Sequence, residues 1–197
     1  KYLDENANGQ RADGETVLGG WDINLTDQTT QTTDATTGQV TFGNLVPSTY
    51  TLSETIKDGW IQSAINCDDN PSLVQRMESL IEGGRQVTVD PGQTVNCEIV
   101  NYQNAHIIVK KDVVKPNGEP TLDQSTSFGF DLTDQKSFSL QDEDGGQTFD
   151  AKPGTYDITE TPDDNYTFAG CDIGEPTEDE DGVSITVTSY QTITVTC

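Results

Sequence analysis

Basic residues are scarce in this 197-residue chain, where 10 lysines and arginines stand against 34 aspartates and glutamates, a net charge of −24. Such a surface repels phosphates and anionic headgroups, which argues against a nucleic-acid partner and against docking on an acidic membrane. Long apolar runs are also missing, and none reaches the ~18 residues that a membrane-spanning helix needs. We therefore expect no membrane insertion in this segment.

Histidine occurs once, as His106, and no Cys-x-x-Cys pair is present. A tetrahedral zinc site takes about four nitrogen or sulfur ligands, and no close cluster supplies them. His106 has no serine or cysteine nucleophile beside it in the sequence, and no glycine-rich phosphate loop occurs. The sequence therefore does not predict an enzyme.

Four cysteines are spread widely along the chain, at Cys67, Cys97, Cys171 and Cys197. Their even number and wide spacing favour two disulfides, for which three connectivities are possible. Disulfides indicate an oxidising, extracellular compartment. The alternative is four buried free thiols.

Two parts of the chain resemble each other. Residues 43–55 and 151–161 share a Pro-x-Thr-Tyr-x-[Leu/Ile]-x-Glu-Thr order, and each is followed by an aromatic residue and then a cysteine. A β-rich segment then ends in a second cysteine. This repeat selects the pairs Cys67–Cys97 and Cys171–Cys197, and it predicts two tandem domains, residues 1–104 and 105–197.

Most segments alternate apolar and polar residues with a period of two, as half-buried strands do. Trp21, Ile23 and Leu25 fall on one face of such a segment, and Ile107 and Val109 share a face of another. Short strands at regular spacing predict an all-β sandwich in each domain.

Residues 71–82 differ, because their apolar side chains recur with helical spacing. Asn70 can cap this segment, and Pro71 suits a first helical turn. We expect one short helix inserted in domain 1, covering the end of a sheet rather than binding a partner. Its apolar face would consist of Leu73, Val74, Met77, Leu80 and Ile81.

Residues 4–15 match the calcium-loop pattern D-x-N-x-N-G-x₅-E. Calcium prefers hard oxygen ligands, and a glycine at the sixth position permits the sharp turn around the ion. The flanking segments look like strands, which argues against a calmodulin-type switch. The alternative is an acidic loop without metal. The expected ligands are Asp4, Asn6, Asn8, the backbone of Gln10, and Glu15, with Asp13 as an extra or substitute ligand.

Several of these motifs resemble bacterial surface-protein domains. Residues 1–21, with the Lys-Tyr-Leu-Asp start and the Leu-Gly-Gly-Trp end, are similar to the B-type repeat of Sdr-family adhesins. The Tyr-x-Leu-x-Glu motif at 50–54 resembles one found there and in collagen-adhesin B-type and SpaA pilin domains. Residues 107–112 and 153–161 resemble another branch of this group. The resemblance implies two tandem prealbumin-like (Ig-like) β-sandwiches.

Many members of these families form an internal Lys–Asn isopeptide bond assisted by a glutamate. The resemblance places Lys1, Glu54 and Asn101 in these roles. A buried lysine has a lowered pKa and can attack as a neutral amine, while a buried carboxylic acid polarises the amide and shuttles protons. The alternatives are a solvated Lys1 and a Glu54 that is simply hydrogen-bonded within a sheet.

In the second domain the resemblance assigns the same roles to Lys111 and Glu160. We prefer Lys111 to Lys110, because it continues the inward series of Ile107 and Val109. By analogy with Asn101 and Cys97, the asparagine is expected four residues past Cys197, outside the 197 residues. Either this chain is a segment of a longer one, or the second domain lacks its final strand residues.

Two N-glycosylation sequons begin at Asn24 and Asn165, and residues 29–37 form a threonine-rich stretch suited to O-linked sugar. Surface glycans are thus expected partners. Tandem sandwiches, disulfides, calcium and isopeptide bonds would all add mechanical and proteolytic resistance, so we expect a structural subunit or stalk segment of an extracellular filament, pilus or adhesin. Its incomplete first and last strands suggest head-to-tail contact with copies of itself, by strand complementation. The alternatives are a ligand-binding adhesin domain pair and an accessory module of a larger extracellular enzyme.

Overall fold

The computed structural model describes residues 1–69, 84–121, 125–142, 144–173 and 182–197. The chain divides into two units, Lys1–Gln103 and Asn104–Cys197, one residue from the expected boundary. Every regular element within the described residues is a β-strand, so the fold class is all-β. The helix predicted at 71–82 lies outside the described residues. Among those described, no helix is long and apolar enough to cross a bilayer.

The first unit consists of two sheets. One contains three strands in the order β1-β7-β5, and the other contains four in the order β3-β2-β4-β6. The strands are β1 (Tyr2–Leu3), β2 (Asp22–Leu25), β3 (Gln31–Thr32), β4 (Ser48–Glu54), β5 (Ile61–Cys67), β6 (Gly84–Val89) and β7 (Cys97–Tyr102).

The second unit also consists of a three-stranded and a four-stranded sheet, in the orders β11-β8-β14 and β10-β9-β12-β13. The strands are β8 (Ala105–Lys110), β9 (Ser127–Leu132), β10 (Phe138–Gln141), β11 (Gln147–Ala151), β12 (Gly154–Glu160), β13 (Gly182–Val187) and β14 (Thr192–Thr196).

The two units share the order of their four-stranded sheet and the pairing of their first and last strands, but their three-stranded sheets differ, since β5 pairs with the last strand β7 and β11 pairs with the first strand β8. The order β10-β9-β12-β13 corresponds strand for strand to β3-β2-β4-β6, and in each unit the first strand pairs in parallel with the last. A tyrosine recurs as well: Tyr50 Oη donates to Val46 O at 2.6 Å, and Tyr156 Oη donates to Lys152 O at 2.7 Å. The sequence repeat therefore reflects a repeated three-dimensional unit.

Each unit buries its own apolar core between its sheets, as the period-two pattern predicts. The core of the second unit is larger and includes a row of inward residues from β8, β9 and β12. The buried residues of the core of the first unit are Trp21, Ile23, Leu25, Tyr50, Leu52, Val87 and Ile99.

The structure joins the four cysteines as the repeat predicts. Cys67 and Cys97 stand directly opposite each other on the antiparallel strands β5 and β7, with Cα atoms 4.0 Å apart. Cys171 and Cys197 form the second disulfide beside the antiparallel bridge between Asp172 and Thr196. Each disulfide thus links neighbouring backbone segments within one unit.

Candidate functional site

Strands β1 and β7 determine the positions of Lys1 and Asn101. Leu3 stands level with Asn101 in the parallel register, so Lys1, two residues earlier, projects from the same face of the sheet as Asn101. Hydrogen bonds of 2.9 Å hold the Lys1 backbone, whose nitrogen donates to Gly38 O and whose oxygen accepts from Leu18 N. The lysine side chain is therefore directed into the sandwich.

Glu54 approaches Lys1 from the other sheet. On β4 it continues the inward series of Tyr50 and Leu52, because alternate residues of a strand share a face. Lys1 Nζ lies 2.6 Å from Glu54 Oε2, and the two side chains are 1% and 0% exposed. The first unit thus contains a buried lysine and glutamate in direct contact.

The polar atoms of this site lack hydrogen-bond partners. Lys1 Nζ and both carboxylate oxygens of Glu54 are close but not aligned as donor and acceptor, and both amide atoms of the fully buried Asn101 are unpaired. Each unsatisfied buried polar group costs about 1–3 kcal/mol, and more when it is charged. As separate side chains, these three residues are therefore expensive to bury.

Burial lowers the pKa of Lys1 from 10.5 to about 8, and this effect outweighs the opposing attraction of the Glu54 carboxylate. Lys1 therefore becomes a neutral amine at a lower pH than a solvated lysine does. The site can therefore present a nucleophilic amine, a neighbouring carboxyl group and a buried side-chain amide.

Two tryptophans lie at the site, and no sequence motif indicated that one of them contacts the lysine. Lys1 Nζ lies 4.4 Å from the centroid of the Trp21 ring. The Trp60 ring meets Trp21 edge-on, with centroids 5.2 Å apart. These rings exclude water from the amine, which contributes to its desolvation.

The second unit repeats the pair. Lys111 Nζ donates to Glu160 Oε1 at 2.9 Å and to Oε2 at 2.8 Å, and the side chains are 8% and 7% exposed. The Lys111 ammonium lies 4.4 Å from the Phe128 centroid, and Tyr166 meets Phe128 edge-on at 5.0 Å. Lys110 is exposed, so Lys111 is the inward lysine. Unlike Lys1, it forms a fully hydrogen-bonded ion pair.

The strand register changes the expected position of an asparagine in the second unit. Thr196 stands level with Lys110, and Asp112 N donates to Cys197 O, which sets Cys197 level with Lys111. The position equivalent to Asn101 therefore comes two residues after Cys197. This register differs from the four-residue expectation because the two disulfides attach at different points along the equivalent strands.

The loop at residues 4–15 is held by its own polar side chains. Asp4 is fully buried, and its carboxylate accepts from the backbone nitrogens of Asn8 at 3.0 Å and Gly9 at 2.9 Å. Gly9 has a φ of 76°, which glycine adopts without strain. Asn8 Oδ1 accepts from Gln10 N, and Glu15 Oε2 accepts from Ala12 N.

Calcium would use the remaining lone pairs of these oxygens. Asp4, Asn6, Asn8 and Glu15 lie in one loop and supply only oxygen, which suits a hard cation. Asp13 is exposed. Within the described residues, no three His, Cys, Asp or Glu side chains converge as a metal-binding group, so the amide oxygens would be essential to any such site.

The comparisons with known proteins bear first on the fold. Residues 14–103 match the model of the SpaA_4 family, described as a prealbumin-like fold domain. The match covers most of the first unit, which has a prealbumin-like fold. The matched range includes Glu54 and Asn101 and begins after Lys1. No significant match was found among curated proteins.

Several solved structures align with the chain, all at low identity and with TM-scores below 0.5. The Bacillus anthracis TIE protein is 18% identical over 94% of this chain and 31% of that chain, with a TM-score of 0.37. The streptococcal ancillary pilin is 15% identical over 93% and 59%, with a TM-score of 0.33. The major pilin T-13 from Streptococcus pyogenes is 17% identical over 92% and 81%, at 0.27. The chain thus spans less than two thirds of the first two proteins.

The predicted glycan sites differ in their surroundings. In the prealbumin-like first unit, Asn24 is half-buried on β2, where its amide donates to Thr55 Oγ1 and accepts from Thr30 Oγ1. Asn165 is exposed in a turn of the second unit, and its backbone nitrogen donates to Asp163 Oδ1. Asn165 is therefore the more accessible acceptor.

Proposed function

We propose that this chain is a structural segment of an extracellular filament, pilus or adhesin stalk, and that an internal Lys1–Asn101 isopeptide bond braces its first unit. The observation that carries the proposal is the buried set of Lys1, Glu54 and Asn101: Lys1 Nζ lies 2.6 Å from Glu54 Oε2, and both amide atoms of Asn101 lack a hydrogen-bond partner. A covalent bond between Lys1 and Asn101 would replace a buried amine and a buried primary amide, which burial penalises, with a single uncharged amide.

The reaction needs no external reagent. The neutral amine of Lys1 attacks Cγ of Asn101, while the protonated Glu54 polarises the amide oxygen and then shuttles a proton to the leaving nitrogen. A C–N bond to Lys1 Nζ forms, the bond to Asn101 Nδ2 breaks, and one ammonia leaves. The product is an amide that joins β1 to β7.

Such a bond suits a segment under tension. It would join the first and last strands of the first unit, while the Cys67–Cys97 disulfide closes a further 30-residue loop within it. Force applied to the two ends of the unit would then pass through the cross-link instead of the hydrogen bonds. A purely structural role also accords with the acidic surface, which keeps extracellular chains apart.

Intact mass measurement tests the bond. The purified chain is expected to weigh one ammonia less than its sequence with two disulfides, whereas the Asn101→Ala and Glu54→Ala variants keep their full calculated mass. Peptide sequencing should place the cross-link between Lys1 and Asn101. A wild-type chain at its full calculated mass would refute the bond.

For the second unit we propose that Lys111 and Glu160 receive an amide from a neighbouring copy, supplied head to tail. The pair lines a cavity of about 860 Å³ together with Phe128 and Tyr166. Co-purified oligomers that survive boiling in detergent and reductant would support this, and their loss in Lys111→Met would tie them to the site. Strictly monomeric protein at high concentration would contradict it.

We further propose that the loop at 4–15 binds calcium and that Asn165 carries a glycan in the extracellular setting. The buried Asp4 carboxylate and the side-chain oxygens around it support the first proposal. The exposure of Asn165 supports the second. Mass measurement of secreted protein before and after enzymatic removal of N-glycans tests the glycan.

A further inference from the structure

Two lysines share one tryptophan in the first unit. Lys57 Nζ lies 4.7 Å from the centroid of Trp21, and Lys1 Nζ lies 4.4 Å from the same centroid. The two nitrogens are therefore less than one Debye length apart, which is about 10 Å at 0.1 M ionic strength. Because Trp21 is 2% exposed, part of the space between them is occupied by an apolar ring instead of water.

The chain holds Lys57 in this place. It lies in the loop between β4 and β5, three residues after Glu54, and its carbonyl oxygen accepts from Trp60 N at 3.1 Å. Trp60 in turn packs edge-on against Trp21. The turn thus positions the exposed Lys57 ammonium over the same aromatic pair that encloses the reactive amine. Lys1 and Lys57 are the only lysines among residues 1–103.

We propose that Lys57 accelerates formation of the Lys1–Asn101 bond by disfavouring the charged form of Lys1 through repulsion. This inference rests on the proposed function, because it concerns the rate of that same reaction. Lys57 acts through Lys1 and takes no part in bond making. The proton that Lys1 loses passes to Glu54 or to water, and the neutral amine then attacks Asn101.

Two charged side chains act on the Lys1 amine. The Glu54 carboxylate favours the ammonium, and Lys57 opposes it; correspondingly, the positive charge of Lys57 is among the influences that lower the pKa of Lys1. Because Lys57 is exposed, water screens its effect. We expect a contribution of roughly two- to fivefold in rate, in line with unit charges near a protein surface.

The experiment follows ammonia loss by intact mass while unreacted chain, isolated in denaturant, refolds under oxidising conditions at a series of pH values. Lys57→Gln is expected to form the bond roughly two- to fivefold more slowly near neutral pH, with its rate profile displaced to higher pH. Lys57→Arg, which keeps the charge, should react like wild type. Lys136→Gln in the second unit is the matched control for loss of one positive charge.

Salt separates an electrostatic role from a structural one. High salt should slow the wild-type reaction toward that of Lys57→Gln and leave the variant itself nearly unchanged. Equal rates and pH profiles for wild type and Lys57→Gln would overturn the role of Lys57 while leaving the bond established. A wild-type chain that never loses ammonia would overturn the proposed bond and this inference together.

Discussion

Lys1 and Lys111 occupy the same place in two copies of one fold, and each ammonium lies 4.4 Å from the centroid of an aromatic ring. They differ in their polar partners. Lys111 makes two good hydrogen bonds to Glu160, whereas Lys1 contacts Glu54 without hydrogen-bond alignment and shares its burial with Asn101. The first site thus leaves both amide atoms of Asn101 unpaired, whereas the second holds a hydrogen-bonded ion pair.

The pH dependence of stability distinguishes a free Lys1 from a bonded one. In Asn101→Ala the bond cannot form, and Lys1 keeps a folded-state pKa near 8 against 10.5 when exposed. Between these values the unfolded chain binds more protons, so the free energy of unfolding should rise with pH, by at most about 1.4 kcal/mol per pH unit. Below pH 8 Lys1 is protonated in both the folded and the unfolded chain, so its contribution to the free energy of unfolding no longer changes with pH.

Tryptophan fluorescence reports this transition specifically, because Trp21 and Trp60 both belong to the first unit and are the only tryptophans. Denaturant unfolding at pH 8 and at pH 10 gives the two free energies. The Lys1→Met/Asn101→Ala double variant is the control and should lose the increase. The same increase in the double variant would show that another group causes it.

Removing one partner of the second ion pair should destabilise the second unit strongly. Glu160→Ala leaves the buried Lys111 ammonium uncompensated, and we expect a loss of about 3–5 kcal/mol. Replacing both, as Lys111→Met/Glu160→Leu, should recover most of it, since an apolar pair needs no solvation. Calorimetry measures this, with the transition of the first unit as an internal reference. A Glu160→Ala variant of wild-type stability would contradict the burial of this pair.

The sequence predicted the repeated architecture, and the family resemblance supplied the roles of the two glutamates. Tyr50 and Glu54, and likewise Tyr156 and Glu160, lie four positions apart in alternating strands and therefore share a face. The disulfide pairing followed from the same repeat.

The sequence alone did not predict which side chains from different strands contact each other. Trp21 was predicted on one face of its strand, but periodicity does not show which side chain from another strand meets its ring. For the same reason the sequence pattern did not indicate that Lys57 lies over Trp21. Cys197 lies level with Lys111 because of the offset between neighbouring strands. Counting residues from the cysteines does not reveal that offset.

Calcium should stabilise the first unit if the loop at 4–15 binds it. At a concentration ten times the dissociation constant, the expected gain in unfolding free energy is about 1.4 kcal/mol. Glu15→Gln should weaken this gain by removing a charged ligand, and chelator should abolish it in the wild type. Asp27→Asn, which removes one exposed charge elsewhere in the unit, is the matched control. Tryptophan fluorescence in the presence and absence of calcium provides the measurement, and identical curves would exclude a functional site.

Single-molecule stretching of the 197-residue chain from its two ends tests most directly whether a covalent cross-link braces the first unit. With Lys1 bonded to Asn101, only the second unit can extend, and each wild-type molecule should show one unfolding step. Asn101→Ala should add a second step of the order of 200 Å, because about 70 residues lie outside the Cys67–Cys97 loop at ~3.4 Å each. Two such steps in the wild-type chain would contradict the cross-link.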